Sequence, residues 1–172
     1  MIGKIFKTIV PVLALAVLAA PAFSQESASI RNFLRVNETF CTAGQPTTEE
    51  LTALKNDGTV AVLNLRLPSE HDADAERQAV EALGMKYFNI PVDTNNLQVS
   101  QVEEFLAITD DAANRPMFIH CGSANRVGGF FMIRRALRDG WSVEMAAAEA
   151  EEIGLRNETL REFAINYIEQ NR

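Results

Sequence analysis

Apolar and polar positions alternate along the chain in blocks of two kinds. Val60-Ala61-Val62-Leu63-Asn64-Leu65 is a near-continuous apolar run between Gly58 and Pro68, the pattern of a parallel strand covered on both faces. Tyr87 to Val92 and Met117-Phe118-Ile119 are two more short apolar runs, the latter ending at His120-Cys121. Phe33 to Val36 and Phe40-Cys41 predict an opening strand and its turn, and Thr42 to Pro46 is turn chemistry. Between these runs the period lengthens. Thr47 or Thr48 can cap a helix whose first turn carries Glu49 and Glu50 and which Gly58 ends. Pro68-Ser69-Glu70 opens a second helix through about Leu83, with Gly84 as its stop, and Ser100 caps a third through about Ala112. Val127, Phe130, Phe131, Ile133, Arg134 and Leu137 give a helix opened by Arg126, and Ser142–Ile153 and Asn157–Glu169 give two more.

Strands alternating with helices predict an α/β fold: a central, mostly parallel sheet of about four to five strands flanked by helices. In such sheets ligands bind beyond the carboxyl ends of the strands. Arg66, Asp93 and Cys121 all fall just past predicted strand ends.

Composition changes the picture at the N-terminus. Lys4 and Lys7 precede an uncharged apolar run from Ile9 to Ala20, and small residues offer cleavage after Ala22 or Ser24. Residues 1–24 therefore read as a signal peptide, which puts the remaining chain in the periplasm or outside the cell. Residues 25–172 are expected to form a single domain. Removing two lysines from 16 basic residues leaves 14 against 23 acidic, a balance of −9. So acidic a chain is a poor partner for nucleic acid or an anionic membrane. The sequence leaves the oligomeric state open.

Candidate chemistry concentrates in Cys121-Gly122-Ser123-Ala124-Asn125-Arg126-Val127. A strand, a tight loop and a helix N-terminus make an anion site, because loop amides converge and the helix dipole adds positive charge. A cysteine there is a thiolate nucleophile favoured by the positive field. Arg126 offers a planar fork to a tetrahedral oxyanion. The backbone of Gly122, Ser123, Ala124, Asn125 and Val127 would cradle it. Asp93, after Pro91-Val92, is the candidate general acid; as an alternative it is a simple Asx-turn residue. Arg66 could add positive charge to substrate binding, or be an ordinary surface arginine. His120 is a supporting residue or a core histidine. His71 and His120 are far apart and not at ligand spacing, so no metal is expected. No cofactor motif is visible. His71-Asp72-Ala73-Asp74 reads as an exposed acidic helix start. Two cysteines in an oxidising compartment invite a Cys41–Cys121 disulfide.

His120-Cys121, the small loop and Arg126 resemble the active-site loop of cysteine-dependent phosphatases. With Ala43-Gly44-Gln45-Pro46 and Asn64-Leu65-Arg66 they are similar to the beta-lactamase-hydrolase-like group of phosphatase-like domains within the dual-specificity and tyrosine phosphatase superfamily. The likeness runs from about Phe40 to Gly140. It implies the cysteine-phosphatase fold and hydrolysis of phosphate monoesters, phosphotyrosine among them, on a small molecule or a protein. Cys121 would be the nucleophile, Arg126 the oxyanion clamp and Asp93 the acid, with His120 supporting the loop. Four residues separate Cys121 from Arg126, where tyrosine and dual-specificity phosphatases have five and rhodanese-type sulfurtransferases commonly four. Sulfur transfer through a Cys121 persulfide is therefore an alternative. Val127 stands where tyrosine phosphatases usually carry Ser or Thr, which implies slow breakdown of a covalent intermediate and leaves a non-turnover anion-binding module as a third reading.

Overall fold

The computed structural model describes residues 29–172; the signal-peptide expectation for residues 1–24 lies outside them. Five strands form one sheet: β1 (Leu34–Arg35), β2 (Phe40–Ala43), β3 (Ala61–Asn64), β4 (Lys86–Asn89) and β5 (Met117–His120), in the order β1-β2-β5-β3-β4. Only the β1–β2 pair is antiparallel. β5 is therefore central, with Met117 opposite Phe40 on one side and Ala61 on the other, and every β5 residue is buried.

Among the described residues six α-helices cover the sheet: α1 (Thr48–Asn56), α2 (Ala73–Ala82), α3 (Val99–Asp110), α4 (Asn125–Arg138), α5 (Val143–Ile153) and α6 (Glu158–Asn171). Strand side chains alternate between two cores. Met117 and Ile119 of β5 pack with Phe105 of α3, Phe130 of α4, Ala150 of α5 and Ala164 of α6. Phe118 packs on the opposite face with Leu54 of α1 and Val80 of α2. The expected α/β architecture is thus observed.

Several boundaries differ from the sequence reading. Phe40–Ala43 is not the end of a turn but a full strand inside the sheet, one neighbour from the centre. The helix expected from Pro68 is interrupted: Pro68–Glu70 is a 3-10 turn, His71 is extended at φ −162°, and α2 starts only after Asp72, whose carboxylate accepts the Ala75 amide. The break turns the His71 side chain inward to 6% exposure, so the reading of His71 as exposed is overturned. At α1, Thr47 is the cap: its hydroxyl accepts the Glu50 amide while Glu50 accepts the Thr47 amide, a reciprocal pair that closes the first turn.

The cysteine pairing expected from the sequence does not exist. Both thiols are free and buried. Cys41 lies opposite Phe118, three residues before Cys121, so the two are separated by roughly 10 Å along the strands, beyond disulfide reach. They also face different cores, Cys41 with Leu54 and Val80, Cys121 with Val127 and Phe130. Burial pushes the Cys41 thiol up to about 12.

Candidate active site

The site grows from the carboxyl end of β5. The chain leaves the sheet at His120 and enters α4 at Asn125. It makes that passage in four residues because Ala124 adopts the left-handed conformation, φ 65°. The Ala124 carbonyl then accepts the Gly128 amide, joining the loop to the first turn of α4. A left-handed alanine costs about 1 kcal/mol or more, so the short loop needs outside support. Three segments supply it. Asn32 Nδ2 donates to the Ser123 carbonyl at 3.0 Å. Gly44 pairs with Ser123, and any Cβ on Gly44 would stand 3.0 Å from the Gly122 carbonyl. Asn125 Oδ1 accepts the amides of Arg156 and Asn157 at 2.8 and 3.2 Å, fastening the α5–α6 turn to the loop.

A cavity of about 320 Å³ opens over this loop and is lined by Cys121, Ser123, Asn125, Arg126, Asp93 and Glu70, among others. A second cavity of about 280 Å³, with Arg31 and Arg156 at its wall, shares Ser123 and Asn125 with the first. Of the other residues expected at the site, Ala124 and Val127 are fully buried behind the loop. Arg66 does not line the cavity: its Nη1 donates to Gln45 Oε1 at 2.6 Å and its Nη2 to the Glu70 carbonyl. Asp93 lines the cavity and also forms an Asx turn, its Oδ1 accepting the Asn95 amide at 2.9 Å. The two sequence readings of Asp93 are compatible, because the turn engages one carboxylate oxygen.

Glu70 carries no mark in the sequence pattern. Its carboxylate grips Arg126 end-on, Oε2 to Nη1 at 2.5 Å and Oε1 to Nη2 at 2.7 Å, while Nη1 also donates to the Val92 carbonyl at 3.2 Å. Those bonds use both hydrogens of Nη1 and one of Nη2. The Nε–H and the second Nη2 hydrogen are left for a bound oxyanion. The Arg126 hydrogen bonds hold the Glu70 carboxyl down at about 2, against the opposing pull of burial, with the Leu67 amide helping. Glu70 therefore stays ionised at neutral pH and is unsuited to donate a proton.

Beneath the loop lies a buried polar cluster, also missed. His120 points to the opposite face of the sheet from Cys121, stacked on Phe118 with ring centroids 5.3 Å apart and fully buried. Its Nε2 is 3.3 Å from Oε1 of Glu76, a carboxylate of α2 that is 7% exposed. Glu76 accepts hydrogen bonds from Gln45 Nε2 at 2.7 Å, Tyr87 Oη at 2.9 Å and Asn64 Nδ2. His71 Nε2 takes the other Asn64 amide hydrogen at 2.8 Å. Burial alone would raise the Glu76 carboxyl, but His120 and the Gln45, Tyr87 and Asn64 donors outweigh it and hold it low. Burial pushes His120 down to about 4, against the pull of Glu76. At neutral pH the pair is carboxylate and neutral imidazole. Among the described residues no group of three His, Cys, Asp or Glu side chains is arranged to hold a metal ion.

A nucleophile candidate, a clamped arginine and a carboxylate on the facing loop share this one cavity, and the whole chain compares accordingly. The family profile described as DSP-PTPase phosphatase fused to NAD+ kinase matches residues 15–165. This chain belongs to that family. The beta-lactamase hydrolase-like protein of Agrobacterium fabrum (strain C58) is 28% identical over 108 residues, 60% of this chain and 25% of that protein. The chain thus spans about a quarter of the length of that curated relative. A protein of Shewanella putrefaciens shares the fold with a TM-score of 0.71 at 24% identity, covering 85% of this chain and 96% of its own. The P. aeruginosa protein TpbA, solved in complex with pTyr, superposes with a TM-score of 0.62 at 20% identity over 88% of this chain and 90% of its own.

Proposed function

We propose that this phosphatase hydrolyses phosphate monoesters through a cysteinyl-phosphate on Cys121. The observation that carries the proposal is the cavity that gathers Cys121, Arg126 and Asp93 over the β5–α4 loop. The Cys121 thiolate attacks phosphorus in line and the bond to the ester oxygen breaks. The Nε–Nη2 edge of Arg126 and the loop amides stabilise the equatorial oxygens. Asp93 gives its proton to the leaving oxygen; Glu70, committed to Arg126, does not compete for that role. Water then attacks the phosphoenzyme, releasing phosphate and restoring the thiolate, with Asp93 accepting the water's proton. Val127 supplies no hydroxyl beside Arg126 to assist that second step, so breakdown of the phosphoenzyme is the slower half. The substrate is a phosphotyrosine-like monoester, a reading supported by the pTyr complex of a protein with the same fold. The reaction takes place after export, a reading supported by the lysine-then-apolar pattern of residues 1–24.

Hydrolysis of para-nitrophenyl phosphate under reducing conditions tests the mechanism. Activity is expected to vanish in Cys121→Ser and to fall about 100-fold in Asp93→Ala, the usual worth of a general acid. Phosphate binding without turnover would move the assignment to an anion-binding module. Thiosulfate-to-cyanide transfer in place of hydrolysis would move it to sulfur transfer. Activity confined to the cytoplasmic fraction of the native cells would end the export reading.

A further inference from the structure

We infer that Glu76, outside the cavity, is a positioning residue that sets Cys121 and Arg126 relative to one another. The inference rests on the proposed roles of those two residues. A carboxylate buried to this degree is expensive unless its oxygens are matched by donors; here Gln45, Asn64 and Tyr87 donate to it, and the His71 and His120 rings stand within 3.5 Å. Gln45 comes from the turn after β2, Asn64 from the end of β3, His71 from the break before α2, Tyr87 from β4 and His120 from the end of β5. Glu76 thereby pins the carboxyl ends of neighbouring strands at the level where the catalytic loop begins.

Two routes lead from it to the chemistry. The first is short: Glu76 faces His120, and the next residue is Cys121. His120 packs between Glu76 and the Phe118 ring. A neighbouring anion favours the imidazole tautomer that carries its proton on Nε2. The second runs through side chains. Gln45 donates to Glu76 and accepts from Arg66, and Arg66 holds the Glu70 carbonyl. The Glu70 carboxylate then grips Arg126. Glu76 thus fixes both the start of the loop and the turn that orients its arginine. Arg66, expected in the substrate pocket, serves as a strut in this second route.

The test uses the full chain with Glu76→Gln, which keeps the shape and removes the charge, and Tyr87→Phe, which removes one donor to the same carboxylate. Three readouts are needed: kcat and KM for para-nitrophenyl phosphate, the pH dependence of Cys121 alkylation by iodoacetamide, and urea unfolding. Misplacement of reacting groups costs about 10- to 100-fold in rate. The expected result is a fall of that size in kcat for Glu76→Gln with KM changed less than about threefold, and a smaller fall in Tyr87→Phe. The alkylation midpoint should move to higher pH in both, because a loosened loop stabilises the thiolate less. Native kcat and a native alkylation profile in the folded variants would overturn the inference. A midpoint moving to lower pH, the response to a lost negative charge alone, would also overturn it. If Glu76→Gln does not fold, Tyr87→Phe decides by the same criteria. Alkylation reads Cys121 without any phosphate ester. An alkylation shift in a protein that lacks hydrolysis would therefore retire the reaction and keep the positioning role.

Discussion

At the scale of single residues, Glu70 does the least obvious work. A guanidinium left to solvent samples many rotamers, and the proposed chemistry needs one edge of it aimed at phosphorus. Glu70 and the Val92 carbonyl take the end of the fork and leave that edge. Glu70→Gln keeps the shape and weakens a charge-assisted pair to a neutral one. The expected loss is about tenfold in kcat/KM on para-nitrophenyl phosphate, equivalent to about 1.4 kcal/mol. Steady-state kinetics check it; an unchanged or improved variant would mean that Glu70 competes with the substrate for Arg126.

At the scale of elements, α4 carries the loop and must itself be held. It packs on α5 and α6 through Gly128 and Gly129. A Cβ on Gly128 would stand 2.6 Å from the Ala150 carbonyl oxygen and 2.9 Å from the Leu155 amide nitrogen, both backbone atoms that cannot rotate away. One on Gly129 would meet the Leu160 side chain at 2.5 Å, which can shift in part. Gly128→Ala gains about 1 kcal/mol of helix propensity and loses more to overpacking. A net cost of about 2 kcal/mol is expected, a fall of roughly 4–8 °C in Tm for a domain of this size. Thermal unfolding of Gly128→Ala beside Gly129→Ala checks it, and Gly128→Ala should be the worse of the two. This close packing brings the α5–α6 turn to Asn125. Little of it was legible in the sequence. The strand–loop–helix unit around Cys121 could be read because its parts are adjacent in the chain and its period changes within a few residues. Asp93 could be placed because it follows a strand. Glu70 and Glu76 could not, since an acid at a helix start has the same local pattern whether it meets solvent or a distant arginine. β2 was mistaken for a turn because its neighbour in the sheet, β5, lies more than 70 residues further along the chain.

At the scale of the whole molecule, the buried groups set an acid limit. A histidine has an ordinary value of 6.5, and His120 is pushed down to about 4 in the fold. Between those values the unfolded chain binds a proton that the folded chain refuses, so stability is full above pH 6.5 and falls as pH drops toward 4. Glu70 acts in the same direction lower down: its ordinary value is 4.5 and its folded value about 2, so its contribution is lost as pH falls through that window. Urea unfolding at stepped pH is expected to show stability declining already below 6.5. His120→Asn should flatten the upper part of the decline and Glu70→Gln the lower. A wild-type profile flat from pH 7 to 4 would contradict the assignment of a neutral, buried His120.

The sheet that keeps the two cysteines on opposite faces also isolates the proposed nucleophile from rescue. A thiolate oxidised to the sulfenic acid is commonly saved by a second cysteine, which closes a disulfide and stops further oxidation. The chain has no cysteine besides Cys41 and Cys121, and Cys41 is locked in the other core behind Phe118. Recovery of an oxidised Cys121 therefore depends on a thiol brought from solution, small enough to enter the cavity over the loop.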